Sequence, residues 1–218
     1  MAILVKICGI NTVEAADAAV RAGADFGGLV FHPRSPRHLT FEAARALSGR
    51  LRGRLRLVAL VADADDALIG AAIEAVRPDF LQLHGGESPA RAAALKSRFQ
   101  VAVIKAVPVA DGGDLAAARA FEPVADMLLF DARAPDGAAR PGGHGAPFDW
   151  QLLRGRTFTR PWFLAGGLTP VNVARAVAGA DASAVDVSSG VESAPGVKNP
   201  DLIAAFVSAA RGSVEAPT

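Results

Sequence analysis

The chain has 218 residues, is 51% hydrophobic and carries a formal net charge of +1, which places it with soluble globular proteins and argues against dedicated nucleic-acid binding. Its single cysteine, Cys8, excludes an internal disulfide framework and any multi-cysteine metal site, and suits a reducing compartment. No stretch reads as a secretory leader or approaches the ~18 apolar residues of a membrane span, so a cytoplasmic protein with no membrane partner is expected.

In chain order, "ILVKIC" reads as the first strand, with Cys8 at its end and on the same face as Lys6. The helical stretch "TVEAADAAVRAG" follows, and Asn11 and Glu14 stand in capping-box spacing at its start. A helix N-terminus lowers a thiol pKa, which favours a reactive Cys8. Against that, a free cysteine is commonly an inert buried hydrophobe, so the residues alone leave both readings open.

The second strand, "FGGLVF", leads into "HPRSPRH" and the helix "FEAARALSG". The basic run "RLRGRLR", with Arg50, Arg52, Arg54 and Arg56, has no interleaved aromatic residues and reads as a solvated connection. Then come strand "RLVALV", helix "DALIGAAIEAV", strand "FLQLH" running into "LHGGE", helix "SPARAAALKSRF", strand "VAVIKAV" and helix "DLAAARAF". Strand "MLLFD" ends at Asp131, where a buried ionised carboxylate is costly unless paired or put to use. A cap or a structural acceptor accounts for such an aspartate equally well.

The Gly- and Pro-rich stretch "RAPDGAARPGGHGAP" is expected to be a mobile cover over a site, with a plain connector as the competing view. After it come helix "DWQLL", strand "WFLAG", helix "PVNVARAVAG", strand "AVDVS" and helix "PDLIAAFVSAARG". Eight apolar strands in unbroken alternation with helices predict a single (β/α)8 TIM barrel over residues 1–211, with residues 212–218 as a disordered tail. An open doubly wound sheet is the alternative, but the first turn, "CGINTVE", lacks its G-x-G-x-x-G.

The unusual residues all fall at the carboxyl ends of strands, where loops converge on one pocket. Gly166 and Gly167 after the seventh strand, with Ser188, Ser189 and Gly190 after the eighth, offer exposed N–H groups and hydroxyls. Two donor-rich turns on adjacent strands favour a phosphate site over mere turn geometry.

Taken in order, "KICGI", "SPRHLT", "QLHG", "FDAR" through "GGHG" to "FDW", "GGLTPVNV" and "AVDVSSGVE" resemble the phosphoribosylanthranilate isomerase family of tryptophan biosynthesis, over all but the tail "GSVEAPT". The resemblance implies an Amadori rearrangement of N-(5'-phosphoribosyl)anthranilate to 1-(o-carboxyphenylamino)-1-deoxyribulose 5-phosphate, with no cofactor and no metal. Asp131 becomes the acid that opens the furanose ring and Cys8 the base that takes the C2' proton. Arg37 becomes the partner of the anthranilate carboxylate. The phosphate set gains Gly142, Gly143 and Gly145, while Gln82, His84, His144 and Asp186 line the pocket.

The same resemblance calls for an Asp131 pKa raised by its apolar strand end and a lowered Cys8 pKa. The acidic limb of the rate profile would then belong to the thiol and the alkaline limb to the carboxyl. His144 departs from the small hydroxyl residue that the family commonly carries between these glycines, which puts a hydroxyl contact there in doubt. Two rivals are a phosphosugar-isomerase barrel of histidine or dual specificity, which typically has a carboxylate in place of Cys8, and a non-catalytic barrel that binds a phosphorylated metabolite. A small molecule is the expected partner, with no nucleic acid, and a monomer is favoured over a homodimer.

Overall fold

The computed structural model describes residues 2–133 and 148–212. Gly142, Gly143, His144 and Gly145, with the rest of the expected cover after Arg133 and the tail from 213 onward, lie outside the described residues.

Eight parallel strands close into a barrel in sequence order: β1 (Leu4–Cys8), β2 (Phe26–Val30), β3 (Arg56–Val61), β4 (Phe80–Leu83), β5 (Ala102–Val109), β6 (Met127–Ala132), β7 (Trp162–Leu164) and β8 (Ala184–Val187). The helices are α1 (Val13–Ala22), α2 (Phe41–Leu51), α3 (Asp66–Val76), α4 (Pro89–Phe99), α5 (Gly112–Ala118), α6 (Val173–Ala180) and α7 (Pro200–Gly212). Closure rules out the open-sheet alternative. The expected helix "DWQLL" is only a 3-10 turn, Trp150–Leu153. A short antiparallel hairpin, β9 (Glu192–Ala194) with β10 (Val197–Lys198), follows β8 and was not expected.

Short polar residues set the helix starts. Thr12, Thr40, Asp65 and Ser88 each accept the N–H three residues on, which satisfies one of the donors that a helix start leaves unpaired. The cap of α1 is thus Thr12, and Asn11 instead donates through Nδ2 to the Gly196 carbonyl at 2.9 Å.

A second device recurs at the amino ends of the strands. Asp25, Asp79 and Asp126 each precede an even-numbered strand, and each accepts a backbone N–H from the strand before it: Val5, Leu57 and Val103. The basic run does structural work nearby. Arg50 pairs with Asp17, Arg52 donates to the carbonyls of Val76 and Arg77, and Arg56 lies 3.7 Å over the Phe26 ring.

Inside the barrel, alternate residues of each strand meet. An apolar plug of Phe26, Val58, Ile104, Met127, Leu129 and Phe163 fills the lower part, with the Phe26 and Phe163 rings edge-to-face at 5.1 Å. Burying side chains of this size is worth about 1.5–3 kcal/mol each. Further along the strands the interior turns polar at Lys6, Gln82 and Asp186, which leads toward the mouth.

Candidate active site

Cys8 ends β1 on the barrel-facing side, 5% exposed and packed with Val30 and Leu60. One interior position deeper, the fully buried Lys6 places Nζ 2.8 Å from Oδ1 of Asp186, its register partner on β8. Burial works against the Lys6 charge, but Asp186 and Cys8 outweigh it and hold the ammonium above its ordinary value. At Cys8 burial wins. It pushes the thiol up, Lys6, Lys198 and Arg37 pull against it, and Asp186 adds to the rise. This reverses the expected lowering. The helix starts five residues after the thiol, and the lost hydration outweighs the three neighbouring cations.

Asp131, near the end of β6, is only partly enclosed, with 15% of its side chain exposed. Its Oδ1 accepts the Ala132 N–H at 2.8 Å and its Oδ2 lies 3.3 Å from Nε2 of His84. The Nε2 of Gln82 stands 2.8 Å from Nδ1 of the same imidazole.

Arg37, 5% exposed, follows β2. Its Nε and Nη2 donate to the two oxygens of Glu192 at 2.7 and 2.8 Å. The stem crosses Gly9, which has φ 77°, so closely that a Cβ there would stand 2.5 Å from the arginine Cδ. Glu192 also accepts from Nζ of Lys198 at 2.7 Å. Burial would raise the Glu192 pKa, but Arg37 and Lys198 more than offset it and hold the carboxyl below its usual range. Burial pushes Lys198 down, against the pull of Glu192.

The turns after β7 and β8 interlock. Gly190 abuts the Leu168 carbonyl, which a Cβ would approach to 1.8 Å, so no larger residue fits. Asn172 accepts from the Thr169 N–H and donates to the Gly167 carbonyl, which shapes the first turn. Among the described residues the N–H groups of Gly166 and Gly167 take no backbone acceptor. Of the expected hydroxyl donors, Ser188 is committed instead, since its Oγ donates to the Cys8 carbonyl at 3.1 Å.

The fold thus gathers Cys8, Asp186, Arg37, Gln82, His84, Asp131, Gly166, Gly167, Ser188, Ser189 and Gly190 at one mouth. Sequence reasoning missed Glu192 and Lys198, which are buried there, and the apolar floor of Val30 and Leu60. It also passed over His32, after β2, whose buried Nε2 has no hydrogen-bond partner among the described residues. Burial, aided by Arg34 and His38, holds that imidazole below its ordinary range.

Fold and mouth together define a TIM-barrel enzyme with its chemistry at the carboxyl ends of the strands. A family model described as N-(5'phosphoribosyl)anthranilate (PRA) isomerase matches residues 5–209. The N-(5'-phosphoribosyl)anthranilate isomerase of Rhodopseudomonas palustris (strain BisA53) is 56% identical over 209 residues, 96% of each chain. The crystal structure of phosphoribosyl anthranilate isomerase from Thermotoga maritima superposes with a TM-score of 0.85 at 37% identity, covering 96% of this chain and 99% of that one. A structure of such an isomerase in complex with reduced 1-(o-carboxyphenylamino)-1-deoxyribulose 5-phosphate gives a TM-score of 0.82 at 35% identity, with the same coverage. The chain belongs to the N-(5'-phosphoribosyl)anthranilate isomerase family.

Proposed function

We propose that the chain converts N-(5'-phosphoribosyl)anthranilate to 1-(o-carboxyphenylamino)-1-deoxyribulose 5-phosphate in tryptophan biosynthesis, with Asp131 as general acid and Cys8 as general base. Asp131 protonates the furanose ring oxygen, the C1'–O bond breaks, and the anilino nitrogen lone pair forms the protonated Schiff base. That iminium acidifies the C2' proton, which Cys8 removes to give an enolamine. The enolamine then tautomerises to the aminoketose. Each such proton transfer contributes about 10²–10⁴-fold.

The observation that carries this reading is the order of groups around the mouth. The acid on β6 and the base on β1 are separated by β7 and β8, whose turns carry Gly166, Gly167, Ser189 and Gly190, while Arg37 lies on the far side of Cys8, after β2. A substrate with its phosphate over β7 and β8 and its carboxylate at Arg37 then spans both catalytic groups. His84 serves the acid by donating to the carboxylate left after proton delivery, and Asp186 serves the base by holding Lys6 beneath it.

The proposal extends to a cytoplasmic location, in keeping with the lone free cysteine, and to a monomer. Among the described residues only Val13, Phe41, Val171 and Val197 are large exposed hydrophobics, and no helix is long and apolar enough to cross a membrane. Freshly prepared phosphoribosylanthranilate tests the activity directly. Purified protein should abolish its anthranilate fluorescence with multiple turnovers, and fluorescence that stays constant would refute the reading.

A further inference from the structure

Two buried charges at the mouth have no part in the proton transfers: Glu192 on β9 and Lys198 on β10, with side chains 4% and 0% exposed. Resting on the role given to Arg37 above, we propose that they are positioning residues that set the direction and the net charge with which Arg37 meets the substrate carboxylate.

Direction follows from the shape of the guanidinium. Its five N–H groups form two edges that can each grip a carboxylate bidentately, a side edge of Nε with one Nη and an end edge of Nη1 with Nη2. Glu192 occupies the side edge with two bonds, at 2.7 and 2.8 Å, and leaves the end edge for a second carboxylate. Glu192 is itself fixed, because Gly196 N donates to its Oε2 at 3.1 Å and Asn11 ties Gly196 back to the turn after β1.

Charge is the second half of the argument. Arg37 and Glu192 alone sum to zero and would attract an incoming anion weakly. The Lys198 Nζ faces three acceptors, Glu192 Oε1 at 2.7 Å, the Ser188 carbonyl at 2.9 Å and Ser188 Oγ at 3.3 Å. That arrangement suits an ammonium, which has three donors and no acceptor. The cluster therefore carries a net charge of one positive unit, and its open edge is on Arg37. A purely structural clasp would not need three charges, since well-packed apolar residues of similar volume are commonly as stable. Because Ser188 begins the turn that carries Ser189 and Gly190, the same lysine also links the carboxylate end of the pocket to the phosphate end.

The test compares two ligands, reduced 1-(o-carboxyphenylamino)-1-deoxyribulose 5-phosphate and its phenylamino counterpart without the carboxyl. Calorimetric titration gives the ratio of their affinities for the wild type, Glu192→Gln, Lys198→Gln and Lys198→Arg. Glu192→Gln replaces one of the two accepting oxygens with a donor and so breaks the bidentate hold on Arg37, Lys198→Gln removes the ammonium, and near-ultraviolet circular dichroism checks that each is folded. Lys198→Gln, which takes the cluster to zero net charge, should reduce the preference for the carboxylate compound by about tenfold or more. Glu192→Gln adds net positive charge but releases the side edge of Arg37, and should reduce the preference as well because direction is lost. In both, the phenylamino compound binds within about threefold of wild type, and Lys198→Arg should restore most of the preference. Parallel weakening of both ligands, or an unchanged ratio, would overturn the proposal. A wild type that binds both ligands equally would instead refute the role of Arg37 itself, so the two failures are distinguishable.

Discussion

At Cys8 the same burial has two opposed effects: it makes the thiolate a stronger base and makes it scarcer. With Cys8 as the proposed base, burial pushes its thiol up and makes the thiolate the scarce form, so the alkaline limb of the rate profile is expected to follow Cys8. The causes at this residue predict opposite shifts for its two neighbours. Lys6→Met removes a cation that favours the thiolate, so the alkaline limb should move to higher pH. Asp186→Asn removes an anion that disfavours it, so the limb should move to lower pH. Lys6→Met also strands a buried carboxylate, at a cost of about 3–5 kcal/mol, so its profile is best recorded well below its melting temperature. Full pH profiles of kcat check both signs, and shifts in the same direction would show that these charges do not act through Cys8.

Among the elements, strands and helices at opposite ends of the barrel answer to different demands. At the amino end, Asp25, Asp79 and Asp126 close the starts of neighbouring strands. Asp79→Ala leaves the Leu57 N–H without that acceptor, and should lower unfolding free energy by about 1–3 kcal/mol while leaving kcat/KM at wild-type level. Denaturant titration with parallel assays checks this, and a loss of activity in the folded variant would contradict the division between the ends. At the carboxyl end, Glu87 accepts from the N–H groups of Asp63 and Gly85 and from Lys105 Nζ at 2.8 Å, which fixes the loop after His84. Burial works to raise the Glu87 pKa, but Lys105 and the backbone bonds hold it below the usual range. A carboxyl lowered in the folded state stabilises fully above its unfolded pKa of about 4.3, and loses that contribution as pH falls through the folded value. The acid-induced fall in wild-type stability should therefore be shallower in Glu87→Gln, which is less stable at neutral pH because the buried Lys105 loses its counter-charge and keeps only the carbonyls of Leu83 and Gly85. An equally steep fall would show that Glu87 does not contribute to the acid sensitivity.

These elements also show what was legible in the sequence. The strands of the barrel are buried on both faces, so their Val, Ile and Leu runs stood out, and α3 and α7 keep the limits that periodicity and capping residues suggest. The hairpin β9–β10 did not stand out, since its strands are three and two residues long and carry Glu, Ser, Ala and Lys rather than an apolar alternation. Nothing in that local pattern marks Glu192 and Lys198 for burial, although the fold buries both side chains. Cys8, Arg37 and Asp131 were visible because the family motifs contain them, while the direction of the Cys8 pKa was not, because dehydration depends on neighbours distant in sequence such as Val30 and Leu60.

At the scale of the whole molecule, the barrel is plugged by aromatic and aliphatic side chains below and turns polar above, which places the proposed acid and base, Asp131 and Cys8, on the mouth side of the plug. Ring closure brings β1 within three strand positions of β6, and that arc carries the donor-rich turns. The proposed reaction needs an acid at its first step. The closed furanose has no iminium to acidify C2', so a base alone cannot start the reaction. Asp131→Asn preserves shape and hydrogen bonding but cannot deliver a proton to the ring oxygen. Its kcat should fall by at least about 10²-fold while reduced 1-(o-carboxyphenylamino)-1-deoxyribulose 5-phosphate still binds, and a variant that keeps more than about a tenth of wild-type kcat would contradict the mechanism.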